Sequence, residues 1–289
     1  MSLFSSQMAT AMLLDTLVWP LLAMAAAFGI GRLAARQDMA KRAFDTWGEL
    51  AVTAGFVAAC VSIRRQIPLP PVQVVDWLPV FAVAGWAVFF AARTWGSAVR
   101  IASRGLVVLA VTGILLAPLL AQADPVRGLA MVLPVAALWF GAWCYVIRNT
   151  WATATGGVPL LAAAAGHAVV ATLGGSLLLG QLSGALAVSL GGWLVLDRFV
   201  SKRRAVRIPD EIAVLILGSL MLIGYQYSET PPSALLLLVA ALAADAPLRT
   251  LRKRGVWSAA PTPVPAAIAA LPPVVLAVWL ASAGLRSAA

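Results

Sequence analysis

His167 is the only histidine of this 289-residue chain, and it stands in an otherwise apolar run. A neutral imidazole there can bond to a neighbouring helix, or it can take up and release a proton near neutral pH. It cannot make a metal site, because no Cys or carboxylate stands beside it at ligand spacing. Asp15 lies in a second apolar run, where a carboxylate either binds a cation or substrate amine or reaches outward to water. Asp245 precedes Pro247. Arg249, four residues on, offers it an ordinary helical ion pair, whereas the proline removes a backbone donor and frees carbonyls that a site can use. Thr112 is the one hydroxyl in its run, and Tyr225, Gln226 and Tyr227 form a polar group that can line an outer vestibule or join an interfacial belt. These residues are the candidates for holding a solute or a coupling ion.

Other polar residues have simpler readings. Glu49, Asp76, Asp210 and Glu211 fall at expected helix starts, where a carboxylate favours the positive end of the helix dipole. The pairs Gly156-Gly157, Gly174-Gly175 and Gly191-Gly192 let helices approach closely. They are not phosphate loops, since no Lys-Ser/Thr follows at the required spacing. Pro261, Pro263 and Pro265 make a stiff lead-in to the last helix. Cys60 and Cys144 fall at different expected depths, so they cannot pair and behave as small hydrophobes. The chain has no paired catalytic carboxylates, no Asp-rich prenyl-diphosphate motif, no histidine pair for a haem, no nucleophile elbow and no Cys/His dyad. It reads as a protein that is not an enzyme and needs no cofactor.

The elements that position these residues follow from composition. Hydrophobic residues make up 62% of the chain and charged ones 11%. Runs of roughly 17–25 apolar residues are what a hydrocarbon core of about 30 Å requires of a helix. The expected fold is an all-α integral membrane protein with about ten transmembrane helices, at about 11–33, 46–63, 74–92, 105–121, 128–147, 158–179, 182–197, 210–227, 232–249 and 265–285. His167 then falls about nine residues into the sixth run. Most of the 21 Lys and Arg residues lie in alternate loops: Arg32, Arg36, Lys41 and Arg42; Arg93, Arg100 and Arg104; Arg148; Arg198, Lys202, Arg203, Arg204 and Arg207; Arg249, Arg252, Lys253 and Arg254. The others are Arg64, Arg65, Arg127 and Arg286.

Positive loops stay in the cytoplasm, so the expectation is a multi-pass protein of a cell inner membrane with both termini on the outer, periplasmic side. Trp47, Trp95, Trp151 and Trp257 near cytoplasmic ends and Trp77 near an outer one fit interfacial belts. The first run lacks a basic lead and carries Asp15 early, unlike a cleavable signal. The net charge of +10 is therefore a topology signal, which makes anionic lipid headgroups the partner and excludes nucleic acid.

The chain also repeats itself in order. Pro20-Leu21-Leu22-Ala23 recurs as Pro159-Leu160-Leu161-Ala162, and Gly48…Leu50-Ala51-Val52…Gly55 as Gly184…Leu186-Ala187-Val188…Gly191. Asp76 matches Asp210, Pro118 matches Pro247, and Leu133-Pro134 with Arg148 match Leu271-Pro272 with Arg286. Residues 1–150 and 151–289 are thus expected to be two five-helix repeats, the second inverted because each holds an odd number of spans.

On these residues and this layout the chain resembles the five-plus-five inverted-repeat carriers: the auxin efflux carriers, the bile-acid sodium symporters and, more distantly, the drug/metabolite transporters. The outside N-terminus and Pro20…Gly29-Ile30-Gly31-Arg32 are most similar to the auxin efflux type. That resemblance implies a helix crossover in each half, with Pro118 and Pro247 marking the breaks. Sodium-coupled relatives surround the crossover with Asn, Gln, Glu and hydroxyl groups, whereas this chain offers Thr112 there. The expected function is a secondary carrier for a small organic solute working by alternating access, with a proton as candidate coupling ion. The alternative is a non-catalytic membrane subunit or scaffold of a larger assembly, favoured by sparse polar residues and by Trp86, Phe89, Phe90, Trp139, Phe140 and Trp143. A homo-oligomer is compatible with either.

Overall fold

In the computed structural model, residues 10–35, 44–66, 68, 70–122, 124–150, 157–200, 209–244, 246, 250, 254 and 263–288 are described; among them regular structure is entirely helical. A π-helical turn, Leu14–Val18, runs into α1, Trp19–Ala35. Helix α2 is Phe44–Arg64, and a 3-10 turn, Val74–Asp76, leads into α3, Trp77–Ala92. Then follow α4 (Ser97–Leu120), α5 (Pro125–Thr150), α6 (Gly157–Leu173), α7 (Leu177–Val200), α8 (Asp210–Tyr227), α9 (Pro232–Leu242) and α10 (Pro263–Ala288).

Eight segments are long and apolar enough to cross a membrane: Thr10–Leu33, Trp47–Arg64, Val74–Ala92, Ser97–Leu120, Pro125–Arg148, Leu177–Phe199, Asp210–Tyr227 and Val264–Ala283. At 1.5 Å per residue each approaches the thickness of a bilayer core. Helices α6 and α9, with 17 and 11 residues, are apolar but shorter. The protein is a multi-pass helical membrane protein.

The three largest departures from the expected boundaries each have a local reason. Helix α4 begins at Ser97, eight residues early, so Arg100 and Arg104 are helical rather than in a loop. The charge of Arg104, only 7% exposed, is neutralised by Glu211, and this permits its burial. Helix α6 stops at Leu173 instead of running to 179. The Ser176 N–H donates to the Ala171 carbonyl at 3.0 Å and the Gly175 N–H to Thr172 at 3.2 Å, with Gly175 at φ +82°. That is a Schellman cap, which needs the left-handed conformation glycine adopts without penalty. Helix α9 ends at Leu242 in a tightened turn, where Ala243 donates to Ala240 at 2.9 Å and Ala244 to Ala241 at 3.2 Å. The chain is helical again at Ala246 and Thr250.

Helix α8 is the centre of the bundle. From Asp210 to Gly224 every residue except Gly218 is buried, and α2, α3, α4, α5, α6, α7 and α9 all pack against it. Around it α1 lies along α2, α6 along α7, α4 along α5, and α10 along both α9 and α6. Gly55 is where three helices meet. A side chain there would strike Ser189 of α7, the Pro20 carbonyl and Met24 of α1, so only hydrogen lets α2 cross both.

Ion pairs join the helix ends. Arg93, just past α3, pairs with Glu49 in the first turns of α2, and Arg104 of α4 pairs with Glu211 at the start of α8. These mark the end of the bundle that also carries Arg32, Arg100, Arg148 and Arg198, here the basic end. At the opposite end Arg64 pairs with Asp76 and Arg65 with Asp15. Glu49 and Glu211 are therefore ion-pair partners in addition to being near helix starts. Asp76 is a cap as expected: its Oδ2 accepts from the Gln73 N–H at 2.8 Å.

Breaking a buried pair leaves a charge uncompensated, whereas replacing both partners with apolar groups roughly breaks even. Arg104→Met alone should therefore destabilise the protein by about 3–5 kcal/mol, and adding Glu211→Leu should recover most of that. Thermal unfolding of the purified protein in mild detergent checks this. An equal loss in single and double variants would remove the pair from the account.

Candidate functional site

An apolar pocket of about 320 Å³ lies between α5, α8 and α9. That is within the range of ligand pockets. Val214, Leu217, Gly218, Met221, Leu222 and Tyr225 of α8 form its floor. Val135, Leu138, Trp139 and Ala142 of α5 form one wall, and Leu235, Leu236, Val239 and Leu242 of α9 the other. From Val214 to Tyr225 the floor runs about 16 Å along the helix axis. Leu138, Tyr225, Pro232 and Leu236 of the lining are exposed, so the pocket opens between α5 and α9, from the middle of α5 to the end of α8. Apart from the Tyr225 hydroxyl and the Trp139 indole, its lining carries no polar side chain. The Trp139 Nε1 lies against Gly218 and is buried with no hydrogen-bond partner among the described residues.

Behind the α8–α9 hairpin is a polar node. His167 of α6 is fully buried, and its Nδ1 lies 2.7 Å from Ser183 Oγ of α7. Its Nε2 is buried without a hydrogen-bond partner among the described residues. That nitrogen faces Gly224 of α8: a Cβ there would stand 3.2 Å from Nε2 and 3.6 Å from Thr230 Oγ1. Ser228 Oγ donates to the Gly224 carbonyl at 2.6 Å and lies 2.6 Å from Thr230 Oγ1. The Glu229 N–H donates to the Gly174 carbonyl at 3.1 Å, tying the α8–α9 connection to the end of α6. His167 is the eleventh residue of a 17-residue helix, two residues past its middle toward the end opposite the basic one.

Asp15 is held in the π-helical turn. Its carboxylate meets Arg65 at 3.1 Å and its carbonyl accepts from Ser62 Oγ at 3.3 Å. Arg65 adopts φ 60°, a left-handed conformation that costs a non-glycine residue about 1–2 kcal/mol. Asp15 and His167 thus have separate partners and do not form one site. Thr112 is buried and donates to the Val108 carbonyl at 2.7 Å within its own helix. Pro118 does not break α4, which continues to Leu120. Tyr225 borders the pocket, and the half-exposed Tyr227 donates to the Leu115 carbonyl of α4 at 3.1 Å. Gln226 is half-buried between them. Asp245 and Pro247 lie outside the described residues, as do Trp151, Trp257 and Gly156. Cys60 and Cys144 are free thiols. Among the described residues no group of His, Cys, Asp and Glu is placed to hold a metal ion.

Sequence reasoning missed the pocket walls, the Ser183–Thr230 surroundings of His167, and the pairing of Arg104 with Glu211. Ala142, Gly218 and Val239 carry no chemical mark, and Arg104 and Glu211 are 107 residues apart. The mid-helix Gly218 in an otherwise bulky stretch was the one available hint of a close contact. Comparison with protein families, with curated proteins and with solved structures gives no match for this chain.

A methyl group at Gly218 would overlap the Trp139 indole. Gly218→Ala should therefore push the indole from its place and cost about 1–3 kcal/mol, with Trp139→Leu in the same chain relieving most of the cost. Melting of the single and the double variant in detergent tests this. An unaltered melt for Gly218→Ala would contradict the close approach of α5 and α8.

Proposed function

We propose that the protein is a secondary carrier for a small organic solute with a largely apolar body, which it takes into the pocket between α5, α8 and α9. The carrying observation is that pocket: ligand-sized, floored by the central helix and open between α5 and α9. A solute reaching it from the bilayer gains by dispersion and apolar burial and needs few polar contacts. Leu242, at the interruption after α9, lines the same pocket, and discontinuous helices beside a site are a recurring feature of carriers.

In this reading α6 and the interrupted helix beginning with α9 complete ten spans, grouped as two inverted repeats, residues 1–150 and 151–289. Support comes from matching elements. Helices α5 and α10 both have 26 residues with a proline at the tenth position. Gly55 meets α1 at Pro20 and Met24, as its counterpart Gly191 meets α6 at Leu161. The basic end faces the cytoplasm of a cell inner membrane, which leaves both termini outside.

A second reading rests on the same opening. Leu138 and Leu236 at its rim would equally receive an apolar helix of a partner membrane subunit, making the chain a non-catalytic member of a larger assembly. Ala142→Phe, which fills the pocket from a half-buried wall position, separates the two. A solute that transports in proteoliposomes should lose affinity roughly tenfold or more in this variant, since overpacking by about 1–3 kcal/mol corresponds to that factor. Val275→Phe, on the exposed face of α10, should transport normally. If no solute in a screen moves, and Ala142→Phe instead releases a protein that co-purifies in fixed ratio, the carrier reading is wrong and the subunit reading stands.

A further inference from the structure

The hydrogen-bond directions around His167 can be assigned from the groups present. Ser183 Oγ makes one hydrogen bond among the described residues, to His167 Nδ1. A buried hydroxyl proton needs an acceptor, so the serine donates and Nδ1 accepts. The imidazole proton is therefore on Nε2, which becomes a buried donor facing Gly224. On the other side of that point, Ser228 spends its proton on the Gly224 carbonyl. The 2.6 Å contact between Ser228 and Thr230 must then be made by the Thr230 proton, which leaves lone pairs of Thr230 Oγ1 without a donor.

A donor and an acceptor thus converge beside the place where Gly224 lacks a side chain, 3.2 and 3.6 Å from the same point. We infer that a hydroxyl-type oxygen, from water or from a solute alcohol, binds between His167 Nε2 and Thr230 Oγ1. It accepts from Nε2–H and donates to Thr230. With it in place the protons run in one direction, from Ser183 to His167, to the bound oxygen, to Thr230, to Ser228 and to the Gly224 carbonyl. Each bond in such a chain polarises the next. An oxygen that only accepts, such as that of a ketone, would leave Thr230 without its donor, and a group that only donates would leave Nε2–H unmet. This site is reached by geometry independent of the apolar pocket and stands whether or not the protein is a carrier.

Because His167 is the only histidine, protein labelled with 15N-histidine gives a single imidazole. The experiment is nitrogen NMR of that ring in the intact protein in deuterated lipid, with magnetisation transfer from water protons. The expected result is the Nε2–H tautomer, with transfer from water to Nε2–H that is lost in Thr230→Val and retained in Thr230→Ser. Gly224→Ala, which occupies the same space, should also abolish the transfer. Addition of 1-butanol distinguishes the sources: persistence of the water signal identifies water, and its replacement by transfer from the alcohol identifies a solute hydroxyl. Either supports the site. A ring protonated on Nδ1 overturns it without any variant being needed. So does an Nε2–H signal with no oxygen-borne proton nearby, or one indifferent to Thr230→Val.

Discussion

Charge at the edge of a hydrocarbon core is the constraint on which the rest of this structure depends. A carboxylate or guanidinium cannot be left there alone, because desolvation costs several kcal/mol per ion even after relaxation. Four carboxylates meet that cost by pairing across helices rather than within them: Asp15 with Arg65, Asp76 with Arg64, Glu49 with Arg93, and Glu211 with Arg104. Each pair joins two different helices, so neutralising the charges also fixes which helix ends are neighbours. Apolar packing in lipid does not by itself choose among partners, since lipid tails are as apolar as the side chains they replace. The ion pairs supply part of that choice, and close approach at small residues such as Gly55 supplies more.

Most of the buried hydroxyls among the described residues bond within their own helices. Thr53, Thr112, Ser189 and Ser219 are buried, and each returns its hydroxyl to the carbonyl four residues back in its own helix. The proton of each such hydroxyl is used within its own helix. Thr112, conspicuous in the sequence as the one hydroxyl in its run, has its proton bound to the Val108 carbonyl in this way. His167 differs because a helix backbone has no free group to offer its second nitrogen. One ring nitrogen can be satisfied by Ser183, and the other must look to a different helix. The pocket expresses the same logic in apolar form: α9 is too short and α5 too far from it to close the space over α8.

Much of the architecture was legible because hydrophobic length and loop charge act locally. Membrane-length helices are found at eight of the runs read from the sequence, and α8 has the expected bounds. The Gly174-Gly175-Ser176 stop was present in the sequence but reads ambiguously, since paired glycines serve both helix packing and helix capping. The fate of Arg104 was not legible. An arginine near a helix start looks like a cytoplasmic loop charge until its partner is known, and that partner lies in the other half of the chain. His167 was recognised as a lone buried titratable group, but Ser183 and Thr230 come to it from sequence-distant elements and are ordinary by themselves. Trp139 and Ala142 belonged to an aromatic stretch whose role only packing decides.

The packing of the two halves is unequal in a way that bears on the carrier reading. In the proposed repeat, α1 and α2 correspond to α6 and α7, and α4 with α5 to α9 with α10. Yet α10 lies firmly along α6, whereas its counterpart α5 has at most a marginal contact with α1 among the described residues. Two repeats in one conformation would pack alike. Unequal packing is what inverted repeats adopt when a carrier rests in one of its two end states, and exchange of the two packings is what carries it to the other. On that reading the opening between α5 and α9 belongs to one end state. The loosely packed α5, rather than α8 with its seven packed neighbours, is the element with freedom to move, because displacing α8 would break the buried contacts of almost the whole bundle.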